Sequence, residues 1–135
     1  MDNSPLTDAP LINTAQVRKL QCDQENQEHF VIVDVRSKAE TDVSMIPGAL
    51  TKPEFENSID QQKGKTVIVY CTVGVRSNSY AVALNQKGWN ALNYKGSILD
   101  WCQNNLPLTL NGKETNQVHT YSWWYSAPKN YVSVH

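Results

Sequence analysis

Two short runs dominate the hydropathy pattern. Residues 30–35 read FVIVDV and residues 66–70 read TVIVY. Both are rich in β-branched side chains, and neither alternates apolar with polar positions. Such runs form strands covered on both faces, as in a parallel sheet. Around them the spacing becomes helical. Val17 and Leu20 share the face of a short helix that Asn13 or Thr14 can cap. Residues 38–43 have room for one or two helical turns. Phe55 and Ile59 lie at i, i+4 in a weakly helical stretch, residues 54–59. The clearest helix covers residues 77–87, with Tyr80, Ala83, Leu84 and Lys87 on one stripe, Ser77 as its cap and Gly88 as its stop. Residues 91–94 make a short strand. Gly96-Ser97 opens another helix, with Ile98, Trp101 and Cys102 on one face, and Pro107 closes it. Pro47-Gly48 and Lys63-Gly64-Lys65 are turns.

Strands alternating with helices through short connections predict an α/β fold: a small parallel β-sheet flanked by helices. The expected organisation is a loose lead-in over residues 1–12, a domain over 13–110 and a C-terminal extension over 111–135. Five of the twelve aromatic residues lie between Tyr121 and Tyr131. A segment this aromatic should pack back on the domain or against a second copy.

Composition narrows the function classes. A chain of 135 residues fits one domain and buries roughly two-thirds of its unfolded surface. A hydrophobic fraction of 40% with a net charge of −1 argues against disorder and against a nucleic-acid footprint. The N-terminal stretch has no basic start leading into an apolar run, and no segment is long enough to span a membrane, so a cytoplasmic protein is expected. Cys22, Cys71 and Cys102 are too few and too widely spaced for a disulfide scaffold. His29, His119 and His135 pair with no cysteine at metal-ligand spacing, so no metal is expected.

The chemistry concentrates in YCTVGVRSNSYA, residues 70–81. A buried strand stops at Cys71, and a helix starts shortly after Arg76. The loop between them falls at the carboxyl edge of the sheet, where ligands of open α/β sheets bind. Its N–H groups and those of the first helical turn can converge into an anion nest around the sulfur. A thiol there has a lowered pKa and ionises near neutrality without a histidine base. Gly74 lets the loop turn without a Cβ, and Arg76 offers a planar fork for an oxyanion or helps to shape the loop. Cys71 alone would equally suit a core position. Strand, cysteine, glycine, arginine and helix in register favour chemistry. A nucleotide-binding P-loop is excluded, since its glycine-lysine pattern does not occur. Asp34 and Arg36 end the first strand near the same edge, and the acid is expected to be structural, hydrogen-bonded to loop N–H groups or paired with Arg36.

Three stretches together resemble the rhodanese-homology domain: VIVDVRSKAE (31–40) followed by IPGAL (46–50), VIVYCTVGVRSNSYA (67–81), and NYKGSILDWCQNNLPL (93–108). The tail VHTYSWWYSAPKNY is similar to an extension on some bacterial single-domain members. The resemblance implies sulfur transfer through a cysteine persulfide, with Cys71 as nucleophile and Thr72, Val73, Gly74, Val75 and Arg76 as its cradle. Asp34, Arg36 and Ser77 would stand behind them. It implies no metal and no organic cofactor. The expected partners are a small sulfur donor such as thiosulfate, a cyanide or thiol acceptor and, in the cell, a protein acceptor. The protein is expected to be a monomer or homodimer. The loop from Cys71 to Arg76 has the six residues of sulfurtransferases; related phosphatases carry one more. Alternatives are a persulfide-carrying module without turnover and, less favoured by loop length, a phosphatase or arsenate reductase. Ser44-Met45 and Gly96-Ser97 depart from the family's Gly-His and Gly-Gly, and neither is expected to touch the cysteine.

Overall fold

The computed structural model describes residues 8–119 and 131–134. Its elements run β1 (Leu11–Ile12), α1 (Thr14–Cys22), β2 (Phe30–Asp34), α2 (Lys38–Thr41), β3 (Leu50–Thr51), α3 (Lys52–Asn57), α4 (Ile59–Gln62), β4 (Thr66–Tyr70), α5 (Val75–Gln86), β5 (Asn90–Tyr94) and α6 (Ser97–Gln103). A short 3-10 turn, Gln24–Asn26, precedes β2. The first five strands form one parallel sheet in the order β1-β5-β4-β2-β3. The two apolar runs pair in the middle, with Ile32 opposite Ile68 and Asp34 opposite Tyr70.

Side chains of alternate residues point to opposite faces of a strand. Here both faces are dry. Ile32, Ile68 and Tyr70 pack with Val17 of α1 and with Ile98, Trp101 and Cys102 of α6. Val31, Val33, Val67 and Val69 pack with Phe55 of α3 and with Ala81 and Leu84 of α5. That double burial explains why neither run alternates. Three helices start with reciprocal caps: Asn13 with Gln16, Ser37 with Glu40, and Thr51 with Glu54.

The structure corrects several expectations. Residues 9–12 do not belong to a loose lead-in. Ala9 and Ile12 are buried, Leu11–Ile12 is an edge strand, and the Asn93 N–H donates to the Pro10 carbonyl at 2.8 Å. Helix α5 starts at Val75, not Ser77, so Ser77 lies inside its first turns, fully buried, and caps nothing. Gly74, at φ +92°, supplies the helix entry without a side-chain cap, so no serine is needed there. β3 was too short to leave a pattern.

After α6 the chain makes an antiparallel hairpin, β6 (Leu108–Leu110) with β7 (Lys113–Thr115). Then β8 (Gln117–His119) pairs in parallel with β9 (Val132–Val134). Val118 is buried in the core, and the Tyr131 hydroxyl donates to the Leu106 carbonyl at 2.5 Å. The packing expected of Tyr121, Trp123, Trp124 and Tyr125 falls outside the described residues.

One buried contact ties β4 to the turn after α2: the Ile46 N–H donates to the Tyr70 hydroxyl at 3.0 Å. Tyr70→Phe leaves that N–H without an acceptor in a dry core. The expected loss is about 1–3 kcal/mol, read as a lower urea midpoint with an unchanged m value.

Candidate active site

Parallel strands deliver their carboxyl ends to one edge, so the loops after β1, β2, β4 and β5 meet there. Strand β4 leads into Cys71, whose backbone α6 pins on both sides of the peptide. The Cys71 N–H donates to the Ser97 hydroxyl at 3.1 Å, and the Ile98 N–H donates to the Cys71 carbonyl at 3.1 Å. The Leu99 N–H reaches the next carbonyl, that of Thr72, at 3.3 Å. The sulfur's approach is thereby fixed before any substrate arrives.

Cys71 is 1% exposed, yet its sulfur does not sit among hydrocarbons. The Gly74 N–H donates to Sγ at 3.1 Å, the Ser77 hydroxyl lies 3.4 Å away, and the Ser97 hydroxyl lies 4.0 Å away. Burial pushes the thiol pKa up. The Ser77 hydroxyl and the N–H groups of Ser77, Gly74 and Val73 push it down harder, and the net displacement is downward. The other buried thiol, Cys102, has no such donors among the described residues, and burial raises its pKa to about 12. The fold thus gives the same side chain two environments, one that favours the thiolate and one that favours the thiol.

Ser77 is held for this task. Its hydroxyl donates to Asn93 Oδ1 at 2.6 Å, while Asn93 Nδ2 donates to the Gly74 carbonyl at 3.2 Å. The hydroxyl has one proton to give. While Cys71 is a thiol, its S–H can donate to Ser77 and the Ser77 proton stays on Asn93. An anionic sulfur at 3.4 Å offers the same proton a second acceptor, within reach of a turn of the hydroxyl. Gly74 is obligatory for two reasons: its φ is left-handed, and a Cβ would lie 2.5 Å from the Lys95 carbonyl oxygen.

The remaining expected residues divide. Val73 lies beside the sulfur and contributes its N–H. Val75 is 70% exposed and directs its side chain to solvent. Thr72 turns away from the sulfur; its hydroxyl donates to Glu40 Oε2 at 3.1 Å and accepts from Arg76 Nη2 at 3.0 Å. The Arg76 fork, expected to be open to an oxyanion, is filled by Glu40: Nη1 to Oε1 at 2.7 Å and Nη2 to Oε2 at 3.0 Å. This geometry supports the loop-shaping role of Arg76. Asp34 and Arg36 pair as expected. Nη2 to Oδ2 is 2.7 Å, Arg36 Nη2 also donates to the Ser44 carbonyl at 2.6 Å, and the guanidinium lies over the Tyr70 ring. Burial pulls the Arg36 pKa down, but Asp34 and its neighbours outweigh this and raise it.

Sequence reasoning missed Glu40, Asn93 and Ser97. Glu40 carried one legible sign, the S-x-x-E capping pattern with Ser37. Ser97 was expected not to touch the cysteine, yet its hydroxyl accepts from the Cys71 N–H, and it holds a left-handed φ of 56° where glycine is usual. Asn93 carried no sign, since a polar residue on a short strand normally faces water. Among the described residues, no cluster of three His, Cys, Asp or Glu side chains is placed to hold a metal ion.

Comparison with known proteins fits this arrangement. The family model for the rhodanese-like domain matches residues 14–104, most of the chain. The chain belongs to the rhodanese-like domain family. A protein of Allochromatium vinosum named as a sulfurtransferase is 31% identical over 102 residues, covering 73% of this chain and 95% of the relative. The crystal structure of a rhodanese-related protein from Thermoplasma volcanium superposes with a TM-score of 0.61 at 25% identity, covering 76% of this chain and 99% of that one. A thiosulfate sulfurtransferase from Pseudomonas aeruginosa shares the fold, with a TM-score of 0.64 at 20% identity over 78% of this chain and 21% of that one.

Two outcomes test this rhodanese-like site. The rate of Cys71 alkylation by iodoacetamide should rise with pH to a plateau whose midpoint lies below the usual thiol value of about 8.5. Ser77→Ala should move that midpoint upward, and Cys102 should stay unlabelled in the folded protein. The second concerns Glu40. Burial raises its pKa, but Arg76 and the Ser37 cap outweigh this and hold it at about 2, against an ordinary 4.5. A carboxylate depressed on folding stabilises the protein above its unfolded pKa, and the contribution fades as pH falls through the folded one. The urea midpoint of wild type should therefore exceed that of Glu40→Gln at pH 6, and the difference should shrink between pH 4.5 and about 2.

Proposed function

We propose that the protein is a sulfurtransferase that carries sulfane sulfur as a persulfide on Cys71. The observation behind this reading is the donor set around Sγ: the Gly74 N–H at 3.1 Å and the Ser77 hydroxyl at 3.4 Å. Such a set favours an anionic sulfur at neutral pH, in either the thiolate or the persulfide form. The family membership and the sulfurtransferase name of the Allochromatium vinosum relative support it further.

In the first half-reaction the Cys71 thiolate attacks the outer sulfur of thiosulfate. The Cys71 S–S bond forms as the bond to the sulfonate sulfur breaks, and sulfite leaves with that electron pair. Charge is conserved, and the enzyme gains one sulfur atom as an anionic persulfide. Oriented N–H groups stabilise that anion as an oxyanion hole stabilises developing charge. In the second half-reaction cyanide or a thiolate attacks the terminal sulfur, and Cys71 leaves as thiolate. Its lowered pKa helps here too, because a less basic thiolate is the better leaving group. No step needs a metal or an organic cofactor. The six-residue loop suits one sulfur atom more than a tetrahedral phosphoryl group, which disfavours the phosphatase reading. Three free cysteines suit a reducing compartment such as the cytoplasm.

Cys71 is nearly covered, and that favours a second reading, in which the loaded protein passes its sulfur to one docked protein without free turnover. Both readings share the persulfide and differ in the acceptor.

Incubation with thiosulfate should add one sulfur atom to the intact mass. Cyanide should remove it, and Cys71→Ser should abolish it. No mass gain with thiosulfate or with an organic persulfide would sink both readings. A stable adduct that neither cyanide nor small thiols discharge would favour the carrier.

A further inference from the structure

We infer that Lys95, not Arg76, supplies the positive charge that recognises the substrate, and that this substrate is a small anionic sulfur compound bearing a sulfonate or carboxylate close to its sulfur. The reading rests on Cys71 as the sulfur-accepting atom.

Three cations at the carboxyl edge are paired with acids. Arg36 is buried against Asp34 at 2.7 Å. Lys38 pairs with Asp42 at 2.6 Å. Arg76, the residue expected to hold the donor, meets both carboxylate oxygens of Glu40. Its charge is largely cancelled by an acid that is itself buried, so an incoming dianion gains little from it. The Lys95 ammonium has no hydrogen-bond or ion-pair partner among the described residues, and the residue is exposed.

Its position is as informative as its charge. Lys95 follows β5, beside β4, and its backbone packs on Gly74, the residue whose N–H binds the sulfur. A Cβ built on Gly74 would fall 3.0 Å from Lys95 Cγ. The lysine stem therefore starts against the loop, and two further methylene groups carry the ammonium beyond it. The same residue borders an open cavity of about 630 Å³ between the loops after β1, β4 and β5, lined also by Leu11, Val73, Tyr94 and Asp100. Val73 lines the cavity and also gives its N–H to the sulfur, so this one residue stands between the cavity and Cys71. The cavity also holds one acid, Asp100, whose Oδ2 accepts from the Thr14 hydroxyl and, at 3.4 Å, from Asn104; these neutral donors orient the carboxylate and leave its charge in place, so an anionic ligand must sit on the Lys95 side. Lys95 is the cation among the residues that line this cavity. A ligand here places its anionic group on Lys95 and its apolar or sulfur end toward Val73 and Cys71.

Alkylation separates charge recognition from sulfur transfer. Iodoacetate and iodoacetamide attack the same thiolate and differ by one negative charge. Relative to wild type, Lys95→Gln should slow iodoacetate about fivefold, the upper range for one exposed ion pair. It should leave iodoacetamide unchanged, which also shows that the site is still folded. Lys95→Arg should restore most of the iodoacetate rate. Two further arms identify the source of the charge. Slower thiosulfate loading with unchanged discharge of the persulfide by mercaptoacetate assigns Lys95 to the donor. The reverse assigns it to a carboxylate-bearing thiol acceptor. An iodoacetate-to-iodoacetamide ratio that Lys95→Gln does not change overturns the inference, whether or not Cys71 loads sulfur. A protein that keeps the charge preference but never gains sulfur leaves Lys95 in place and removes the sulfurtransferase reading.

Discussion

The hydrogen bond from the Gly74 N–H to the Cys71 sulfur organises the carboxyl edge of this protein. For that N–H to face inward, Gly74 must adopt a left-handed φ and press its α-carbon against the Lys95 backbone. For the sulfur to stay beneath it, the Cys71–Thr72 backbone must not drift, and three groups at the start of α6 hold it there. The ion pair of Arg76 with Glu40 closes the far end of the same loop. Each constraint comes from a different element, and the parallel sheet brings their ends together.

This arrangement divides labour between charge and dipole. Full charges at the edge are mostly neutralised in pairs, Arg36 with Asp34 and Arg76 with Glu40. What the sulfur sees directly are neutral N–H and O–H groups. Fixed dipoles stabilise an anion without offering it a permanent partner, so the sulfur stays nucleophilic after it ionises. An arginine in direct contact would hold the thiolate more tightly and make it less reactive, since nucleophilicity falls with pKa.

The framework was legible in the sequence wherever one residue type forces one outcome. Doubly buried strands left uninterrupted β-branched runs, and Gly48, Gly64 and Gly88 marked turns at positive φ. Cys71 was legible because it ends such a run just before a glycine, an arginine and a helix. The partners were not. Glu40 and Arg76 are 36 residues apart, and Ser77 and Asn93 are 16 apart, so no local spacing announces either contact. Ser77 looked like a cap because serine before a helical stripe normally is one. Arg76 looked available because a sequence does not display the acid that neutralises it.

The edge strand also bears on where the working unit begins. The family match starts at Thr14, after β1 has ended. Yet the carbonyl of Pro10 anchors the backbone of Asn93, and the amide of Ala9 is tied to Asn78 on the helix that carries Ser77. Asn93 is in turn the side chain that holds the serine next to the sulfur. A shortened protein cut at the family boundary would keep every residue of the cysteine loop and still loosen the groups that surround its sulfur, through a strand of two residues on the outer rim of the sheet.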